Sequence, residues 1–294
     1  MKKTKILIML AVVLVAVTSL SISGCIPTAK YEMTVELSEP FESGGQFATK
    51  THNGEIKVAG GETEKCDITA KITARANTEE DAKKLAEQVK IKFERSGDKL
   101  TAKIEKPNII DNKYIGVSFD ITLPKQTRLD LVTHNGAVNI NQIEGDIEAH
   151  THNGAVHADG IKGSVVLTTH NGEIKCDGVL GDVKLQTHNG PISCNGVTGN
   201  VELTTHNGSA EVVYFADAAP AVNASLTTHN GGLELKAPNE LSAKIEAHTH
   251  NGSVHTDIPI TVVGKVSKKN LVGTIGSGEG KLYLKTHNGS INIK

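Results

Sequence analysis

The chain has no tryptophan, five phenylalanines and four tyrosines among 294 residues. A globular enzyme core normally leans on large aromatic side chains. A sugar-cleaving β-solenoid also uses aromatic platforms in its cleft. Neither provision is visible here. No motif joins a nucleophile to a general base. The stretch GSGEGK at 276–281 lacks the spacing of a phosphate loop. The glycine–aspartate nonapeptide that holds Ca²⁺ in other β-rolls is missing too. No enzymatic activity is expected. A basic stripe is also lacking, so nucleic acid is not an expected partner. Beyond residue 24 no apolar run is long enough to span a bilayer.

The N-terminus carries a different signal. Lys2, Lys3 and Lys5 precede an apolar run at 6–17, and small and polar residues lead to Ile22, Ser23, Gly24 and Cys25. This is the layout of a secretory signal peptide. Its last four residues resemble a bacterial lipobox, whose cysteine becomes the lipidated first residue of the mature chain. The expectation is a signal peptide at 1–24, a lipidated Cys25 with a tether to residue 43, and a repeat domain at 44–294. The protein would be exported and lipid-anchored to the bacterial cell membrane or outer membrane. Without residues 1–24 the balance is 28 basic against 33 acidic residues. Three cysteines then remain, Cys66, Cys176 and Cys194. An odd number is not a disulfide framework.

What the chain has in abundance is glycine, and one tetrapeptide. Thr-His-Asn-Gly occurs nine times, with its histidines at His52, His134, His152, His170, His188, His206, His229, His250 and His287. From His134 to His206 the tetrapeptide returns at every eighteenth position. Within that stretch apolar and polar residues alternate on both sides of it, as in Val183, Leu185, Ile192 and Cys194. Alternation with period two marks a strand with one buried face. Each unit therefore holds two short strands and two turns. Asn-Gly between strands also fits antiparallel hairpins. Near-identical corners favour a parallel β-solenoid, in which equivalent residues stack into columns. We expect an all-β parallel solenoid of about nine rungs.

Phase assigns the tetrapeptide. Thr points inward, where a column of hydroxyls can bond within itself. His points outward. Asn begins the corner and satisfies backbone groups there, and Gly supplies a permissive backbone. Cys176 and Cys194 fall in the inward column of Ile140, Ala158 and Val212, as two stacked buried thiols. Residues 65–126 interrupt the repeat. They read as a strand at 67–76, a helix N-cap at 77–80, a helix at 81–89, and strands at 91–94, 100–105 and 117–123. This segment is expected to cap the N-terminal end of the solenoid, because an open rung exposes a sheet edge. Residues 257–281 read as a second excursion.

The stretch TVELSEPFESGGQFATKTHNGEIKV, a strand–helix–strand segment, and FDITLPKQTRLDLVTHNGAVNI together resemble the bacterial putative-adhesin family. The resemblance covers roughly residues 30–294. It implies exported proteins of β-strand repeats that form a β-solenoid, with a domain of unknown function and no catalytic residues. The residue before Asn varies in that family, so a His in all nine copies is this chain's own feature.

The expected role is a membrane-anchored structural or binding lipoprotein, adhesin-like, without catalysis. Its partners would be the membrane, through the lipid, and a protein or envelope polymer. The alternative is an envelope protein that binds Zn²⁺, Cu²⁺ or Ni²⁺ through outward imidazoles. The candidate ligands are His134, His150, His152, His170, His188, His206, His229, His248 and His250. His157 and His255 lie on the other strand of their units and face elsewhere. Stacked imidazolium charges repel, so the column is expected to resist protonation.

Overall fold

The computed structural model describes residues 29–108, 113–262 and 267–294. The expected signal peptide and Cys25 lie outside the described residues. Two sheets of twelve and thirteen strands face one another. Their centre is a parallel solenoid, as the uniform corners imply.

The N-terminal end is built first. It comprises β1 (Ala29–Pro40), β2 (Gln46–Lys50), β3 (Ile56–Gly61), β4 (Lys65–Ala76), α1 (Glu79–Glu87), β5 (Lys90–Ser96), β6 (Lys99–Glu105) and β7 (Tyr114–Pro124). β2 and β3 form the first rung. β4 pairs antiparallel with both β1 and β7, and β7 runs parallel to β3. In the other sheet β6 lies parallel to β2, and β5 closes the edge antiparallel to β6. The strands of the non-repeat segment thus lie beyond the first rung in both sheets. Residues 29–40 correct one expectation: they are not part of a tether but a full strand, with Tyr31, Met33 and Val35 buried. The helix begins at Glu79 rather than 81. Its N-cap is Thr78, whose hydroxyl accepts from the Asp81 N–H at 3.1 Å.

The rungs follow. One sheet receives β8 (Arg128–Val132), β10 (Ile147–His150), β12 (Val165–Thr168), β14 (Val183–Gln186), β16 (Val201–Thr204) and β18 (Asn223–Thr227). The other receives β9 (Val138–Asn141), β11 (Val156–Lys162), β13 (Ile174–Leu180), β15 (Ile192–Val197), β17 (Ala210–Tyr214) and β19 (Leu233–Lys236). Every neighbouring pair is parallel and in register by one repeat, as in Leu167 against Leu185 and Cys176 against Cys194. The inward residues are aliphatic or small and fully buried, among them Leu131, Leu167, Ile174, Cys176 and Cys194. The span from Leu129 to Val212 contains no aromatic residue other than histidine. Its core is two short inward faces deep, so Val, Ile, Leu and Ala fill it. The second turn of each unit places Gly160, Gly178 and Gly196 at φ 66°, 63° and 68°. That left-handed backbone suits glycine.

The C-terminal end departs from sequence order. β20 (Ala243–Asn251) and β21 (Val254–Thr256) do not stack on β18 and β19. They lie one rung further out. After β22 (Thr261–Val262) and the antiparallel β23 (Asn270–Ile275), the last strands fill the gap. β24 (Gly280–Asn288) lies between β18 and β20, and β25 (Ile291–Ile293) between β19 and β21. The rung carrying His287 thus precedes the rung carrying His250 in space. The irregular repeat spacing towards the C-terminus accompanies this insertion.

Candidate functional site

At each corner the chain leaves one sheet and enters the other, and the four residues Thr, His, Asn and Gly build that passage. All nine Thr side chains are buried. The expected hydroxyl-to-hydroxyl column does not form. Each hydroxyl donates instead to a backbone carbonyl of the neighbouring rung, as in Thr187 to the Gly172 oxygen at 3.0 Å and Thr205 to the Gly190 oxygen at 3.0 Å. The first Thr, Thr51, donates to the Val117 oxygen at 2.8 Å. The carbonyl is the better acceptor because it has no strand partner at the corner.

The Asn side chains correct a second expectation. At the cap Asn53 Nδ2 does donate to a backbone carbonyl, that of Ile115 at 3.3 Å, but from Asn135 onward each Nδ2 donates to the Asn of the neighbouring rung. Asn171 Nδ2 donates to Asn153 Oδ1 and Asn189 Nδ2 to Asn171 Oδ1, each at 2.8 Å. The amide ladder runs unbroken from Asn53 through Asn288 to Asn251. Glycine at this corner is required by space. A Cβ on Gly172 would meet the Gly154 oxygen at 2.0 Å, and the same holds from rung to rung. The carbonyl that excludes the Cβ is the one a Thr hydroxyl binds.

His is left facing outward, and all nine corner imidazoles form one stack. Neighbouring ring centroids are 4.7 to 4.9 Å apart. Between His134 and His206 the planes are parallel within 6°. Two members were missing from the candidate set. His52 stacks on His134 although the whole cap lies between them in sequence, and His287 sits between His229 and His250. The tetrapeptide itself was the signal that could have placed them. His150 and His248 stand beside the stack, not in it. His150 Nε2 contacts Glu148 at 2.9 Å, and His248 bonds Asn270. His157 and His255 lie on the opposite sheet, against Glu173 and Ser253. The His52 ring is held below the ordinary imidazole range, by desolvation first, then by His134, Lys106 and Lys50.

The stack bears on metal chemistry. Equivalent nitrogens of parallel rings 4.7 to 4.9 Å apart share that separation. Two Zn–N bonds of about 2.1 Å span at most about 4.2 Å. In this arrangement the column offers single imidazoles. Among the described residues no group of three or more His, Cys, Asp or Glu is placed to hold a metal ion. The thiols are equally quiet. Cys176 is held protonated by its hydrogen bond to Cys194 and by burial, and burial pushes the Cys66 thiol well up.

From His170 to His250 the stack is one wall of a groove of about 790 Å³. Its other wall is the outward column just before each Thr, which includes Thr168, Gln186, Thr204, Thr227 and Lys285. No aromatic residue lines it other than histidine. The surface is repetitive along its whole length.

A family model described as Toastrack DUF4097 matches residues 28–294. Among solved structures, the chain is similar to a putative cell adhesion protein from Clostridium sporogenes at 14% identity, covering 88% of this chain and 98% of that one, with a TM-score of 0.32. A putative adhesin from Bacteroides fragilis is also 14% identical, with coverages of 89% and 97% and a TM-score of 0.33. One from Parabacteroides merdae is 10% identical, with coverages of 90% and 96% and a TM-score of 0.32. No curated protein matches the chain. Among the described residues no helix is long and apolar enough to cross a membrane.

Proposed function

We propose, from the premise that the chain belongs to the Toastrack family, that it is a non-catalytic binding rod held at the bacterial envelope by a lipid on Cys25. One observation carries this reading: nine corners stack into a single continuous face of repeated chemistry. Such a face suits an extended partner. Catalysis calls for a few unlike groups converging on one reacting atom, and the column is uniform instead. The inward thiols and hydroxyls are engaged in the core.

The export signal at 1–24 and the lipobox-like cysteine supply the anchor. Because β1 starts at Ala29, the link from Cys25 to the cap is very short. The cap end would sit against the membrane, with the rungs projecting away. The partner is an envelope polymer or a protein of the same surface.

The test uses the full-length chain in cells. Incorporation of a clickable fatty acid should be lost in Cys25→Ser. Intact cells should label the protein with a membrane-impermeant reagent, and the full-length chain in detergent should capture envelope polymer. Recovery in the soluble fraction without acyl label, or no retention on envelope material, would overturn the reading.

A further inference from the structure

The sequence has no basic stripe when histidine is counted as neutral. The fold assembles one that depends on protonation. Nine imidazoles share one edge of the rod. The adjacent outward column runs Lys50, Val132, His150, Thr168 and Gln186, then Thr204, Thr227, Lys285 and His248. These two columns hold eleven histidines and two lysines and not one acid. The nearest acids lie outside them. Asp130, Glu148, Glu202 and Glu246 face the next column of the same sheet. Three of these are engaged: Asp130 with Lys99, Glu148 with His150, and Glu202 with Lys184. Past the corner, Glu55 pairs with Lys57, and Glu173 with Lys175 and His157. Lys106 approaches His52 at the cap.

Resting on the reading of the chain as an envelope-binding rod, we infer that this groove is a binding site for a linear acidic polysaccharide, engaged when the imidazoles are protonated. Three features point to that ligand. The acid-free double column offers one positive charge per rung from the stack, and a second at the rungs of Lys50, His150, Lys285 and His248, so it complements a chain of carboxylates or sulfates. The 4.7 to 4.9 Å repeat of the stack is close to the advance of one sugar residue in an extended glycan. The hydroxyls of Thr168, Thr204 and Thr227 and the Gln186 amide line the second wall at the same repeat, within reach of sugar hydroxyls. Nucleic acid fits less well. Single strands are held by stacking bases on aromatic faces, and here every internal imidazole face is covered by its neighbour, leaving ring edges in the groove. An anion in the groove relieves the repulsion between adjacent imidazolium ions, so binding and protonation favour one another.

The experiment is biolayer interferometry with the full-length chain in detergent micelles, at about pH 5.5 and about pH 8, on either side of the imidazole range. The probes are polygalacturonate, uncharged dextran and a single-stranded oligodeoxynucleotide. Polygalacturonate should bind at least about tenfold more tightly at the lower pH and weaken with added salt, and dextran should bind at neither pH. The triple variant His170→Gln, His188→Gln, His206→Gln should lose most of this binding. His157→Gln with His255→Gln, on the other sheet, should not. A triple His→Lys variant at the same three positions should bind at both pH values, which keeps the test informative if the Gln variant folds poorly. Equal affinity at the two pH values, full binding by the Gln variant in its folded state, or tighter binding of the oligonucleotide would overturn the inference. Retention of envelope polymer at both pH values alongside such a result would leave the broader binding reading intact, whereas its absence from every arm would remove both.

Discussion

The central rungs and the N-terminal cap bury apolar surface by different means. From Leu129 to Val212 the core holds no aromatic ring, its inward columns are small or aliphatic side chains, the two thiols and the corner threonines, and the same hydrogen bonds recur with every repeat. In the cap, strands of twelve residues cross antiparallel, and Phe41, Phe47 and Phe119 fill the space between sheets with fully buried rings. A stack built by translation needs no large side chains, because every inward residue packs on the equivalent small or aliphatic residue of the rungs above and below. A cap has no copy beyond it, so it must close its core with bulk and with strands running back. The same logic acts at the other end, where β23 turns antiparallel beyond β20. The C-terminal strands then fill the rung left open.

The sharpest way to break this comparison is to add one methyl group in each region. Gly172→Ala places a Cβ 2.0 Å from a backbone oxygen of the next rung, and backbone cannot step aside without shifting the stack. We expect a loss of more than about 3 kcal/mol in unfolding free energy, read from urea denaturation. In the cap, Gly97 sits in a hairpin turn at φ 62° with open space around it. Gly97→Ala should lower stability by only about 1 to 2 kcal/mol, the penalty of the left-handed backbone. Equal losses would show that the corners yield more than the stacking implies.

A smaller effect is expected from the corner hydroxyls. Thr187→Val keeps shape but deprives the Gly172 carbonyl of its donor at 3.0 Å. The expected loss is about 1 to 2 kcal/mol, and the same change at Thr169 or Thr205 should give the same value, since their bonds are copies. Scatter among the three larger than the measurement error would contradict translational equivalence.

Acid should next distinguish the cap end of the His stack. His52 has a depressed folded-state pKa, for reasons of desolvation and nearby positive charge. The unfolded chain takes up this proton near pH 6.5, while the folded chain resists. The contribution of His52 is therefore complete above about pH 6.5 and is lost as pH falls through its folded value. Between about pH 7.5 and about pH 5.5, His52→Gln should reduce the drop in melting temperature by up to about 2 °C. An unchanged drop would remove His52 as a source of acid sensitivity.

The smallest expected signal is none at all. With equivalent ring nitrogens as far apart as the rings, calorimetric titration of the folded chain with Zn²⁺ should give no stoichiometric heat. A saturating isotherm lost in the His170, His188, His206 triple variant would show that the rings turn to chelate, and would restore the metal reading.

Much of this was legible along the chain. The regular return of the tetrapeptide, the alternation around Val183 and Leu185, and the inward place of Thr187 came directly from residue order. So did the stacked pair of Cys176 and Cys194. The site was legible only in part. The sequence showed that the imidazoles face outward. His52 and His287 carry the same tetrapeptide but stand outside the candidate set, and it is the stacking that joins them to the other seven. The β1 strand, read as tether, pairs with β4, which lies beyond the first rung.

The sequence by itself determined the rung, because a local pattern with period two decides which side chains turn inward and a repeated corner decides how the chain turns. Only the tertiary structure decided the order of the rungs at the C-terminal end, the Thr-to-carbonyl and Asn-to-Asn bonds, and the acid-free double column beside the His stack. Each of these depends on which strand lies next to which. That adjacency is set by hydrogen bonds between groups far apart in sequence, such as Asn53 with Asn135 and Asn153 with Asn171, and it cannot be read from neighbours along the chain.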